Sequence, residues 1–171
     1  MTPERGLFSK GEINDPLTET LYTPEARLVT CDQARLLFVP RLFATPFGES
    51  MAMNFLSLHS NYDGGAWDFY EIAVPTLGEG EVSFTGYIAP GGTQRYQLTI
   101  PGNYFDAEIS ADAAGIIATL FVLNQLSWMA SERGAQYART CRALVGRQDA
   151  LKDFISQSRH PERHLIYRAI D

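Results

Sequence analysis

Few residues in this sequence have the type and spacing to do chemistry. Asp68 and Glu71 stand three apart in A-W-D-F-Y-E-I, the nearest approach to a carboxylate pair for general acid–base work. The aromatic and apolar residues around them predict a strand over Ala66–Val74. Side chains three apart on a strand point to opposite faces, so the two acids do not converge on one substrate. His59, His160 and His164 are too few for a rich metal site, and Pro161 spoils a continuous helix between the last two. Cys31 and Cys141 lie far apart and outside any C-x-x-C pair, so they signal neither zinc nor a redox motif and read as reduced thiols. Gly64-Gly65 and Gly91-Gly92 read as turn glycines rather than phosphate cradles. No G-x-x-x-x-G-K-[ST], H-E-x-x-H or G-x-S-x-G pattern occurs, and no G-x-G-x-x-G precedes a helix. The expectation is a protein without catalytic residues, metal or cofactor.

The elements that must position these residues are organised around Ser110–Leu126 (S-A-D-A-A-G-I-I-A-T-L-F-V-L-N-Q-L). Ser110 can cap a helix, and Asp112 suits the positive end of its dipole. From Ala113 to Leu123 the only polar side chain is Thr119. A helix apolar on all sides is either a core helix or a membrane span. A span needs roughly 20 apolar residues, and this run is read as too short, which predicts a long buried central helix over about 110–130. Gly115, Ala118 and Thr119 form a small-residue face that another element can approach closely.

Before that helix, Arg35–Val39 (R-L-L-F-V), stopped by Pro40, reads as a strand. Met51, Phe55, Leu58 and Tyr62 mark one face of a helix over 49–61, with His59 beside it. Val82–Ile88 alternates as a half-buried strand, Tyr96–Ile100 as the next, and Tyr104–Ile109 as a short last one. Turns this short impose antiparallel pairing. Pro75–Gly80, Pro90-Gly91-Gly92 and Pro101-Gly102-Asn103 are the turns. After Gly134, the residues Tyr137, Cys141, Leu144, Gln148, Leu151 and Ile155 mark a helical face, with a weak point at Gly146. Pro161 suits the first position of a last short helix. The predicted class is α+β: an antiparallel β-meander sheet packed with several helices, the central one covering a sheet face. Residues 1–34 are expected to form a partly ordered N-terminal arm and 35–171 a single domain.

Fourteen Lys and Arg against twenty acids give a net charge of −6. That balance predicts no strong nucleic-acid binding, which needs clustered cations. It also falls short of DNA mimicry, because duplex DNA carries about one charge per 1.7 Å of axis and no acidic run here exceeds two residues. The first residues lack the apolar core of a signal peptide, so a cytoplasmic protein without a membrane association is expected.

Four stretches make the chain resemble the antirestriction protein family of the KlcA/ArdB type. They are R-L-L-F-V-P-R-L-F at Arg35–Phe43; Y-D-G-G-A-W-D-F-Y-E-I at Tyr62–Ile72 with G-Y-I-A-P at Gly86–Pro90; the whole of Ser110–Leu126; and the tail, with L-K-D-F at Leu151–Phe154, H-P-E at His160–Glu162 and R-A-I-D at Arg168–Asp171. Against that family, residues 1–34 are read as a longer lead-in and 73–85 as an insertion. The resemblance implies a small α+β protein that alleviates type I restriction of incoming DNA by non-enzymatic protein contacts. Its implied partner is the type I restriction-modification machinery or a host factor acting on it, with the protein a monomer or weak homodimer. The alternative is a diverged regulatory module of a mobile element with no restriction target. The candidate interaction surface is Arg41, Asp68, Glu71 and Asp171, the exposed polar residues inside the matching motifs. Each also has a plain structural role to play. Arg41 can pair with a carboxylate at the sheet edge, Asp68 and Glu71 can solvate an outer face, and Asp171 can be a charged terminus. Trp67 and Tyr70 are read as core.

Overall fold

The structure is a computed structural model that describes residues 24–74 and 84–171. Among these residues the order is β1 (Ala26–Leu28), α1 (Asp32–Phe43), α2 (Gly48–His59), β2 (Trp67–Ala73), β3 (Phe84–Pro90), β4 (Arg95–Ile100), β5 (Phe105–Ser110), α3 (Ala111–Glu132), α4 (Ala138–Gln157) and α5 (Arg163–Ile170). The class is α+β with antiparallel pairing throughout, as the alternation and short turns require. The meander, however, is split between two sheets: β1-β2-β3 and β4-β5. The turn Pro75–Gly80 and the strand residues Val82 and Ser83 lie outside the described residues. β1, inside the stretch expected to be an arm, is the outer strand of the first sheet, with Ala26 opposite Ile72.

β3 explains most of the architecture. All seven of its residues are buried, where alternation predicted a half-buried strand. Its pairing with β2 puts Phe69, Glu71, Phe84 and Gly86 on one face and Tyr70, Ile72, Thr85 and Tyr87 on the other. α1 covers the first face through Phe38, which stacks on the Phe69 ring at 5.5 Å and meets Phe84 edge-on. α4 covers the second, where the Thr85 hydroxyl donates to the Arg147 carbonyl at 2.8 Å and Phe154 lies beside Tyr87. The remaining edge is occupied by α3 rather than by another strand. The Thr119 hydroxyl accepts from the Ile88 N–H at 3.2 Å and faces the same residue's carbonyl, so the edge groups of Ile88 are satisfied by a side chain. A β-carbon at Gly115 would collide with Ala89 and the Ile88 carbonyl, so only glycine lets α3 come this close.

The central helix therefore runs along a sheet edge instead of over a face. By composition α3 is long and apolar enough to cross a membrane, contrary to the reading of its length. About two thirds of its apolar window (67%) is buried inside the protein, which makes it the core helix that was expected. Ser110 caps it as foreseen, accepting from the Ala113 N–H at 3.1 Å.

Arg35–Val39 is helical and not a strand; it belongs to α1. Phe38, Val39, Leu42 and Phe43 are its buried residues, a helical spacing that the run R-L-L-F-V conceals. Pro40 sits inside the helix on its exposed side, together with Leu36, whose carbonyl it leaves without a helical partner. In α2 the buried residues are Gly48, Ala52 and Leu56, the last two one position on from the expected Met51 and Phe55, and Leu58 is exposed. α4 continues unbroken through Gly146, and Tyr137 lies outside it and exposed. α5 begins at Arg163, two residues after Pro161.

Candidate functional site

The four residues of the expected interaction surface do not form one patch. Arg41, in the last turn of α1, and Glu71, on the face of β2 that α1 covers, are brought together in an ion pair of 3.0 Å. Both side chains are about half exposed (54% and 45%). The Arg41 guanidinium also lies 3.8 Å over the Phe84 ring, a cation–π contact that fixes its position. Asp68 points to the opposite face of β2, as its odd spacing from Glu71 demands. Its charge there acts on Tyr70, whose hydroxyl is pushed above its ordinary range by burial first and by Asp68 and Asp112 after that. Asp171 is exposed at the end of α5, a helix packed on α3 and β5. Trp67 is core, with its indole N–H donating to the Tyr62 hydroxyl at 2.8 Å; Tyr70 is half-buried and stacks on Tyr87.

A second polar group, at the start of α3, was not assembled from the sequence. The Tyr87 hydroxyl donates to Asp112 Oδ1 at 2.6 Å, and His160 Nε2 lies 2.8 Å from Asp112 Oδ2. The Glu162 N–H donates to His160 Nδ1 at 3.0 Å, so Nδ1 carries no proton and Nε2 is the donor to Asp112. Glu162 in turn accepts from the Ser110 N–H at 3.0 Å and lies 3.7 Å from Arg95. The H-P-E segment thus closes over the first turn of α3, satisfying its cap and its acid. Burial pushes the Tyr87 hydroxyl far above the ordinary tyrosine range, with the Asp112 charge and hydrogen bond adding to it. The sequence signal was an acid in the first turn of a helix whose next residues are all buried, since an acid in that setting needs partners.

This group does not make a catalytic dyad. Both ring nitrogens of His160 are engaged, one by a backbone donor and one by Asp112, and the ring is only 9% exposed. A general base needs a free lone pair aimed at substrate. His164 is exposed on α5, so the two histidines do not converge on a metal either. Arg147 completes the picture around Arg41. Its Nη1 donates to the Leu42 carbonyl at 3.0 Å, and its guanidinium is held below the usual arginine range by burial and then by Arg41.

The family model described as "Antirestriction protein" matches residues 60–171. Two Escherichia coli proteins named antirestriction protein KlcA are each 38% identical, one over 161 residues (92% of this chain, 97% of its own length), the other over 151 (85% and 91%). Coverage of 92% is more than residues 35–171 supply, so the match extends into the first 34 residues. A solved structure superposes with a TM-score of 0.67 at 34% identity, covering 88% of this chain and 96% of the other. It comes from work on KlcA and ArdB that describes a novel fold with antirestriction activity against type I DNA restriction systems in vivo but not in vitro. Those matches and the shared fold establish that the chain belongs to the antirestriction protein family.

Proposed function

We propose that this protein relieves type I restriction of incoming DNA inside the host cell, and that it does so through protein contacts without making or breaking a bond. The activity follows from membership of the family and from what is described for KlcA and ArdB. The observation that carries the mechanism is the state of the titratable groups. Glu71 is paired with Arg41, Asp68 points the other way, and the Asp112–His160 pair is closed on both sides. None of these has a proton-accepting atom free and aimed at a common point. The charge distribution argues against imitation of DNA. Several acids on the described surface have partners of their own, as in Arg95 with Glu108 and Gln97 and Thr99 with Asp106, and no acidic run in the sequence exceeds two residues. The surface that meets the restriction machinery, or a host factor acting on it, is the α1–β2 rim with Arg41 and Glu71, while Asp68 belongs to the opposite face of β2. Asp171 belongs to a separate contact on α5.

The test is plating of unmodified phage on a host with an active type I system. Expression of this protein raises plating. Unchanged plating at confirmed soluble expression contradicts the proposal, and restored cleavage protection of naked DNA by purified protein would point to direct DNA mimicry instead.

A further inference from the structure

On α2 the spacing of Met51, Phe55 and Leu58 marks an apolar face, but the residues that α2 buries are Gly48, Ala52 and Leu56. The helix is therefore apolar on two sides, and the side with the larger residues is turned outward along the seam with α3. Phe47 and Leu58 stand 67% and 81% exposed at its two ends. On α3, Phe121, Gln125 and Trp128 share a side by helical spacing, with Trp128 64% exposed. The two rows meet where Phe55 stacks on Phe121 at 4.7 Å. Two open hollows lie along the seam and share Met51. One, of about 300 Å³, has Phe47, Met129 and Tyr137 in its wall, and the other, of about 490 Å³, has Leu58, Ile100 and Gln125. Neither Ser50–Leu58 nor Ala113–Ser131 contains a charged side chain, although 20% of the chain is charged. Arg133 and His59 stand at the far ends of the two hollows.

We propose that this α2–α3 face docks a second copy of the chain about a two-fold axis. Protruding side chains and hollows occur on the same face, so each chain brings both halves of the fit that an isologous contact requires. Charge selects the same occupant. Two chains of net charge −6 repel each other. Along this seam no carboxylate of one copy is set against a carboxylate of the other, and Glu132 and Arg133 beyond it are of opposite sign. The cores of homodimer interfaces are apolar and poor in charge in the same way. The size also fits. The exposed parts of the Phe47, Trp128 and Tyr137 rings alone offer roughly 350 Å². Leu58 and Met129 add to that, towards the ~800 Å² that each partner gives to a standard interface.

The experiment follows the full chain from micromolar to millimolar concentration by sedimentation equilibrium and by acrylamide quenching of tryptophan emission. Trp67 is 2% exposed, so the quenching reports on Trp128. The expected result is a mass that rises with concentration above the 19.1 kDa of one chain, with quenching of Trp128 falling in step. Leu58→Glu changes an exposed position and leaves the interior as it is. It should raise the dissociation constant at least about tenfold and restore the quenching, because the two-fold axis brings two carboxylates into an apolar contact. Trp128→Ser, on the other row, should weaken the dimer as well and is read by mass alone, which keeps the test decisive if Leu58→Glu does not fold. A mass of one chain at millimolar concentration overturns the proposal. A dimer that folded Leu58→Glu and Trp128→Ser retain unchanged overturns it too, since the contact then lies on another face. Weak quenching of Trp128 at every concentration in a monomer means that residues 1–23 or another part of the same chain cover the seam, and likewise overturns it.

Discussion

The two polar groups of this molecule are built in opposite ways. At the start of α3, Tyr87, Asp112, His160, Glu162 and Ser110 form a closed set in which each group is bonded to another and His160 is buried. At the start of β3, Arg41 and Glu71 are half exposed and Arg147 keeps donors unused among the described residues. A network whose groups are bonded to one another fixes geometry, here around a buried His160 and an Asp112 side chain that stays about 40% exposed. An incompletely paired, exposed rim adds little to stability and retains its capacity to bind. Both groups contain residues from the stretches that mark the family, so membership of a motif does not by itself separate a residue that holds the fold from one that meets a partner. Hydrogen bonding divides these residues into a mutually bonded group and an open pair at the rim.

Substitutions should split along the same line. The largest effect is expected at the interior, from Gly115→Val. Its side chain would be driven into Ala89 and the Ile88 carbonyl, so the variant should be insoluble or lose about 3 kcal/mol or more in urea unfolding. Next is Asp112→Ala, which strands the Tyr87 hydroxyl and the His160 N–H. A loss of about 2–3 kcal/mol is expected, with plating falling only in proportion to the unfolded fraction. Tyr87 also sets a pH dependence. Its ionisation is raised in the folded protein above the ordinary value of 10.0, so its contribution is fully present below pH 10.0 and is lost as pH rises beyond it, where only the unfolded chain ionises. Tyr87→Phe should therefore unfold less steeply with alkali than wild type in a pH series of melting temperatures. The smallest effect on stability is expected from Arg41→Ala, under about 1 kcal/mol for an exposed pair. There plating should fall while the melting temperature holds, the reverse of the interior pattern.

The ease of reading each region from sequence follows from the range of its interactions. α3 was legible because its cap, its apolar run and its small residues lie within one continuous segment. Its place at an edge was not, because nothing local says that Thr119 answers Ile88, 31 positions away. α1 is obscured for the same reason: R-L-L-F-V has a strand's composition, and the helical spacing of its buried residues becomes visible where Phe38 packs against Phe69 and Phe84. Arg41 and Glu71 were singled out separately, and the ion pair between them spans 30 positions. Asp112 and His160 are 48 apart, and neither carries a local sign of the other. Arg147 stands on a helix with other basic residues, and only its reach to Leu42, 105 positions away, distinguishes it.

The most direct test of the account exchanges the charges of the rim while keeping their pairing, as Arg41→Glu combined with Glu71→Arg. A partner that reads this face should no longer fit it. The account predicts plating at the level of an empty vector from a protein whose melting temperature stays within a few degrees of wild type. Wild-type plating from the folded double variant would contradict it.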